Sequence, residues 1–190
     1  AACPGLPLMQ WRPNARRSDG ATHSRYRQVI VAGLTQADRY DLHDTVAQVA
    51  VPLINSFCED GSADLIRQYA FPLTFAVLNS LLGCPTELAQ RAASGMAAMF
   101  EGVGAERGNK AVMNAMLELI HLKQTTPGSD VTTQMLRHPI GLSDMELAHQ
   151  VATLYGAGIE PLQNLIVNAL RLILTDQQLG DSALDGSLST

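Results

Sequence analysis

Apolar residues in this chain recur at spacings of three and four, the period of a helix. The longest such run opens at Leu142 and reaches about Leu174. Leu147, Val151, Leu154, Gly158, Leu162, Leu165, Ala169 and Leu172 form one stripe, while Ala152, Tyr155, Ile159, Ile166 and Ile173 occupy the other side. A helix apolar nearly all round is expected to be buried on every side. Ser143 and Glu146 stand as an S-x-x-E capping box at its start. At 1.5 Å per residue the rod would be roughly 45–50 Å long. Glu160 and Arg171 interrupt it, so no uncharged stretch there is long enough for a membrane span.

Upstream, the same period predicts further helices. Thr22 caps one that runs to Gly33 or Leu34, with Tyr26, Val29, Ile30 and Leu34 as its stripe. A second covers Gln36 to Phe57, buries Leu42, Val46, Val49, Leu53 and Phe57, and is kinked at Pro52. Phe71 or Pro72 opens a third, which Gly83 stops with Pro85 beyond. Thr86 to about Val103 is a fourth. After a flexible joint at residues 101–105, Asn109 caps a fifth that ends at Lys123, and Val131 to Leu136 starts a short sixth. The fold class is all-α, organised around one long central helix. Residues 1–20 read as loop with a turn around Trp11, and 180–190 as a flexible polar tail.

The middle of the long rod breaks helix rules. Gly156 and Gly158 each cost roughly 1 kcal/mol in a helix interior and Pro161 about 3. Pro161 has no N–H, so the Ala157 carbonyl loses its partner. Glu160 is a lone carboxylate among apolar neighbours. Rules broken together mark functional or strained sites, and the glycines would let a flat or bulky ligand approach the backbone. A turn between two helices, with Pro161 at the first helical position, is the other reading.

Composition narrows the function. Apolar residues make up 46% of the 190, and net charge is −5 with 13 scattered basic residues. The chain is globular, with no electrostatic case for nucleic acid. No signal peptide or transmembrane segment is evident, which points to a cytoplasmic protein. Cys3, Cys58 and Cys84 have no C-x-x-C spacing and read as reduced, buried thiols; no metal ligands are assigned. His23 and Arg27 lie one turn apart on one helix face. Such a pair can grip a carboxylate, or it can be a solvated basic face.

Four segments, in order, resemble the cytochrome P-450 family of haem-thiolate monooxygenases. Asp19-Gly20-Ala21-Thr22-His23-Ser24-Arg25-Tyr26-Arg27 is similar to its D-P-P-x-H-x-x-x-R segment. Residues 61–85 follow a family pattern that carries fold rather than chemistry. Pro127-Gly128-Ser129-Asp130, a short helix and Leu142-Ser143-Asp144 follow it again. Ala157-Gly158-Ile159-Glu160 resembles the A-G-x-(D/E)-T signature. The resemblance implies haem, with His23 and Arg27 at the propionates and Gly156, Ala157 and Gly158 over its distal face. Glu160 becomes the catalytic proton relay, with Gln163 or Asn164 holding a water. Met96, Met99, Met113 and Met116 would belong to the roof of the substrate pocket. It also implies an apolar small-molecule substrate and a ferredoxin-like redox partner.

Two departures matter. Pro161 stands where the family has threonine, so a hydroxyl is missing. None of the cysteines has the F-x-x-G-x-H-x-C-x-G context of the iron ligand, and no Glu is followed by Arg three positions on. The resemblance therefore implies one incomplete domain over residues 1–190, a central fragment inactive alone. A P-450-like binding module without catalysis is the alternative. A small DNA-binding regulator is disfavoured by the loop-like start and the acidic charge.

Overall fold

The computed structural model describes residues 12–101 and 104–184. The turn expected around Trp11, Cys3, part of the joint (102–103) and residues 185–190 lie outside that range. The described residues are helical throughout, with no strand. A 3-10 turn at Ala15–Arg17 precedes α1 (Gly20–Thr35) and α2 (Arg39–Asn55). A π-helical turn, Leu65–Ala70, leads directly into α3 (Phe71–Leu82). Then come α4 (Thr86–Glu101), α5 (Ala105–Thr125), α6 (Val131–Arg137), α7 (Asp144–Gly158), α8 (Glu160–Thr175) and α9 (Gln177–Leu184).

Local chemistry sets most helix ends. The capping box forms as read: the Glu146 amide donates to the Ser143 hydroxyl, and the Ser143 amide to the Glu146 carboxylate. Asp130 accepts from the Thr133 amide at 2.9 Å and starts α6. Gly83 ends α3 at φ 62°, with its own amide bonded to Ser80 and that of Cys84 to Asn79. This left-handed cap satisfies the orphan carbonyls at the end of the helix. The last of these, on Leu82, takes the buried Thr132 hydroxyl at 2.7 Å. Asp130 also pairs with Lys123 at 2.7 Å behind the same turn, so α3, α5 and α6 are tied at one corner.

Four expectations shift. The fifth helix begins at Ala105 after Gly104, four residues before Asn109, because Ala105 and Gly108 are buried against α4. Tertiary burial there overrides the cap signal. Helix α9 carries through residue 184, into the stretch read as a flexible tail. Cys84 is buried as expected, but Cys58 is exposed after the end of α2. Helix α2 rides on the outside: Leu42, Val49, Leu53 and Phe57 are half-buried and Val46 is exposed.

The core is centred on α5 and α7. Met116, Leu119, Ile120, Leu147, Val151 and Tyr155 are fully covered, with Val29 from α1, Leu82 from α3, Ala89 and Ala92 from α4, and Met135 from α6. Each such aliphatic side chain contributes about 1.5–3 kcal/mol by leaving water. The pairing of α4 with α5 is the most extensive in the molecule, and small residues allow it. A Cβ on Gly95 would lie 2.6 Å from the Gly108 carbonyl, and one on Gly108 would lie 2.5 Å from that of Gly95.

The central helical run from Asp144 to Thr175 is present but interrupted at Ile159. Ile159 keeps a right-handed backbone, donates to the Tyr155 carbonyl at 3.2 Å and accepts from Gln163 at 2.9 Å. The hydrogen-bond ladder thus continues on both sides of the break. What fails is the bond that Pro161 cannot donate to Ala157. The two halves differ in burial. Leu147, Val151 and Tyr155 of α7 are buried, whereas α8 has no buried residue and exposes Leu162, Leu165, Leu172 and Leu174. Burial on every side therefore fails for α8: the π-helical turn and α9 pack against it and leave Ile166, Val167 and Ile173 half-buried, and much of its apolar surface is exposed.

Glu146 also fastens α1 to α7. Arg25 donates to both its oxygens, at 2.6 and 3.3 Å, and the Tyr26 hydroxyl donates at 3.0 Å. The Arg25 guanidinium is the main reason its carboxyl is held at about 2, below the usual range. A depressed carboxyl stabilises the fold fully above its unfolded value and ceases to do so as pH falls through about 2. Glu146→Gln should cost about 1–2 kcal/mol at neutral pH, a figure reduced for solvent screening of the half-exposed pair. Urea midpoints from pH 7 down to pH 2 would check it. An undiminished acid-dependent loss in the variant would show that the pair contributes nothing.

Candidate functional site

One stripe of α7 and its continuation meets a cavity. His149, Ala152, Thr153, Gly156, Ala157, Glu160 and Pro161 line it at helical spacing. Met96 and Met99 from α4 and Val112 from α5 cover it, and Arg12, Asn14, Arg16 and Arg17 close it from the segment before α1. Its volume is about 360 Å³, at the lower end of the size for small-molecule pockets.

That closing segment is held by Gln150. This side chain is wholly buried, accepts from the Ala15 amide at 3.0 Å and donates to the Pro13 carbonyl at 2.8 Å. It also donates to the Glu146 carbonyl at 3.1 Å. Asn14, itself buried, caps the 3-10 turn by accepting from the Arg17 amide. The arginines are thereby brought to the cavity from more than a hundred residues away in sequence.

The residues singled out from the sequence separate into two groups. Gly156, Ala157 and Glu160 lie together on the cavity. Gly156 is open: a Cβ there would meet nothing within 4 Å. Gly158 faces elsewhere, since a Cβ there would sit 3.1 Å from the Leu78 side chain of α3. Its small size serves helix packing. Gln163 and Asn164 are not among the lining residues. Nor are His23 and Arg27. His23 is half-buried with Nδ1 2.8 Å from the Ala15 carbonyl, one residue from the arginine pair, while Arg27 is exposed. Of the four methionines expected in the roof, Met96 and Met99 reach the cavity; Met116 is core and Met113 packs against it.

Sequence reading did not place Arg12, Arg16, Arg17 or His149. Arg12 and Arg17 are half-buried and Arg16 is exposed. Burial, and then the like charge of Arg17, lowers the Arg12 pKa. Burial, and then the charge of Arg12, lowers that of His149, so the ring is neutral near pH 7. Its Nδ1 is buried without a protein partner. The basic run before α1 was the available signal, but only the Gln150 contacts aim it.

Neither of the two described cysteines, Cys58 and Cys84, lines this cavity. Cys84 lies between α3 and α4, is not among the cavity's lining residues, and burial pushes its thiol pKa up. The nearby Tyr155 hydroxyl donates to Asn79 at 2.6 Å. No cluster of His, Cys, Asp or Glu suited to a metal exists among the described residues. No described helix is long and apolar enough to cross a membrane.

No family model matches the chain. Individual relatives do. Cytochrome P-450 107B1 of Saccharopolyspora erythraea is 30% identical over 183 residues, covering 93% of this chain and 45% of the relative. The vitamin D(3) 25-hydroxylase of Pseudonocardia autotrophica is 27% identical over 164 residues, covering 83% of this chain and 41% of its own length. Among solved structures, CYP154A1 from Streptomyces coelicolor superposes with a TM-score of 0.76 at 22% identity, over 97% of this chain and 49% of that one. CYP268A2 of Mycobacterium marinum, in complex with pseudoionone, does so with a TM-score of 0.79 at 16% identity, over 96% and 48%. The structural matches establish the fold, and the chain spans about half the length of the relatives it matches. By sequence and by fold together, the chain belongs to the bacterial cytochrome P-450 family.

Proposed function

We propose that this chain forms the distal, substrate-facing part of a haem-dependent monooxygenase that acts on a small, largely apolar molecule. The observation that carries the reading is the cavity in which Gly156, Ala157 and Glu160 lie opposite Met96 and Met99. Open backbone at Gly156 fits a flat ring on one side, because nothing occupies the space a side chain would take. Haem, when bound, supplies the dioxygen chemistry, and the protein supplies binding, orientation and electrostatics.

His23 and Arg27 would hold the propionates; the Nδ1 contact to Ala15 fixes the His23 ring and leaves Nε2 for that role. Ala157 keeps the centre of the distal face small. Glu160 is exposed on the cavity wall and would relay protons to it. Met96 and Met99 form an adaptable apolar cover that excludes water from the substrate. Neither Cys58 nor Cys84 is placed to ligate iron, so the thiolate would come from outside these residues, and a ferredoxin-like partner would deliver electrons to a cytoplasmic enzyme. Pro161 specifically favours a second reading, a binding module of the same fold with catalysis lost, since no hydroxyl stands beside Glu160.

The test joins this chain to the remaining half taken from cytochrome P-450 107B1 and records the reduced, carbon-monoxide-bound spectrum. The expected outcome is a thiolate-type Soret band that weakens in a His23→Ala/Arg27→Ala variant. Turnover should fall by about 100-fold in Glu160→Gln, with substrate binding kept. A non-thiolate spectrum, or no haem uptake, would defeat the monooxygenase reading. Substrate binding without turnover in the unaltered chain would select the module.

A further inference from the structure

Tyr155 carries a buried hydroxyl that neither the cavity nor the proposed chemistry uses. It is 1% exposed and is not on the cavity lining, yet it directly precedes Gly156, which is. Its side chain leaves α7 on the side opposite the cavity stripe, together with Val151 and Gly158. There the hydroxyl donates to the Asn79 side chain of α3 at 2.6 Å. Three residues on, Leu78 fills the space beside Gly158, 3.1 Å from where a Cβ would stand. Two neighbouring residues of α3 thus grip the end of α7 at two points. Asn79 is itself fixed, because its carbonyl accepts from the Cys84 amide at 2.8 Å in the turn that ends α3.

This grip is the last firm hold on the helical run. From Gly156 to Ser182 no residue is buried. The ladder loses the bond that Pro161 cannot donate to Ala157, while the Ile159 amide still returns to the Tyr155 carbonyl at 3.2 Å. Gly156, Ala157 and Glu160, which form this part of the cavity wall, therefore extend from Tyr155 as a loosely held continuation. Phenylalanine would fill the same core space. Apolar packing is non-directional and tolerates sliding, whereas a hydrogen bond has a set length and weakens steeply when bent. Burial, and then the neighbouring Cys84, push the Tyr155 pKa up, so the hydroxyl stays a donor.

Taking the cavity as the distal pocket of the preceding reading, we infer that Tyr155 and Asn79 are positioning residues for it. Their bond sets where the wall at Gly156 and Ala157 stands, and so how much room a ligand finds on that side. Neither residue lines the cavity. Both act through the backbone that follows Tyr155.

In the 190-residue chain, Tyr155→Phe and Asn79→Leu should each speed amide exchange at Ile159 by about tenfold beyond any change at Leu119 and Ile120 of α5. The double variant should be no faster than either single one, since the same bond is lost in all three. Asn79→Asp keeps an acceptor for the hydroxyl and should restore the original rate. A bond that served stability alone would speed Ile159 and α5 equally; that result overturns the inference, as does unchanged exchange at Ile159. In the chain completed with the half from cytochrome P-450 107B1, the probe is imidazole, a small ligand of haem iron. It should bind about tenfold more tightly to Tyr155→Phe, because the freed wall yields to it. Unchanged or weaker imidazole binding overturns the inference too. The exchange rates need no haem, so they are read apart from the monooxygenase reading, which falls on its own if the unaltered completed protein shows no thiolate band.

Discussion

Gly108→Ala should destabilise the fold by about 3 kcal/mol, while Gly156→Ala should stabilise it by about 1, although each adds one methyl to a helix interior. Intrinsic propensity favours alanine in both cases. At Gly108 the new Cβ would stand 2.5 Å from the Gly95 carbonyl, 3.1 Å from Ala98 and 3.2 Å from Met99. The nearest atom is backbone, so no rotamer change relieves the overlap. The most extensive helix pair, α4 with α5, would have to part, and Met99 and Val112 would shift with it. At Gly156 nothing lies within 4 Å. Denaturant unfolding of both variants checks the pair. Gly95→Ala should resemble Gly108→Ala, and the double variant should cost less than the sum, because one separation serves both. If Gly108→Ala proved neutral, the close crossing of α4 and α5 would be wrong.

Gln150→Leu should cost about 2–4 kcal/mol and release the segment that closes the cavity. The side chain is fully buried and serves the Ala15 amide and the Pro13 carbonyl. Leucine keeps the bulk but leaves both backbone groups without partners. An unsatisfied buried donor or acceptor costs about 1–3 kcal/mol. Water can reach them if the segment swings away, so part of the loss should appear as local opening. Hydrogen exchange at Ala15 and Arg17 should then speed up more than exchange in α5. The His23 ring, which contacts the Ala15 carbonyl, should lose its fixed environment as well. Unchanged exchange at Ala15 would show that Gln150 is not what holds the arginines in place.

These two effects also mark where sequence reading stops. Gly95 and Gly108 are ordinary glycines in helical patterns, and nothing local says that they oppose each other. Gln150 lies on the apolar run without breaking its period, so it drew no notice. Both depend on partners far away in sequence, one across a helix pair and the other 135 residues back. Arg12, Arg16 and Arg17 were visible as a basic run, but a run of charge does not indicate which wall it will face.

What the sequence determined by itself is the short-range part. The Ser143 capping box, the Gly83 stop and the irregular centre at Gly156 to Pro161 all follow from chemistry within a few residues, and the family likeness follows from four short segments in order. Tertiary structure alone decided burial and convergence. Leu147 and Leu165 belong to one apolar pattern, yet the first is covered by α5 and its neighbours and the second is 64% exposed. Hydrophobic period says which side of a helix seeks cover; only the packing of distant elements says whether cover is there. The same reason separates Gly158, closed by Leu78, from Gly156, open to the cavity two residues away.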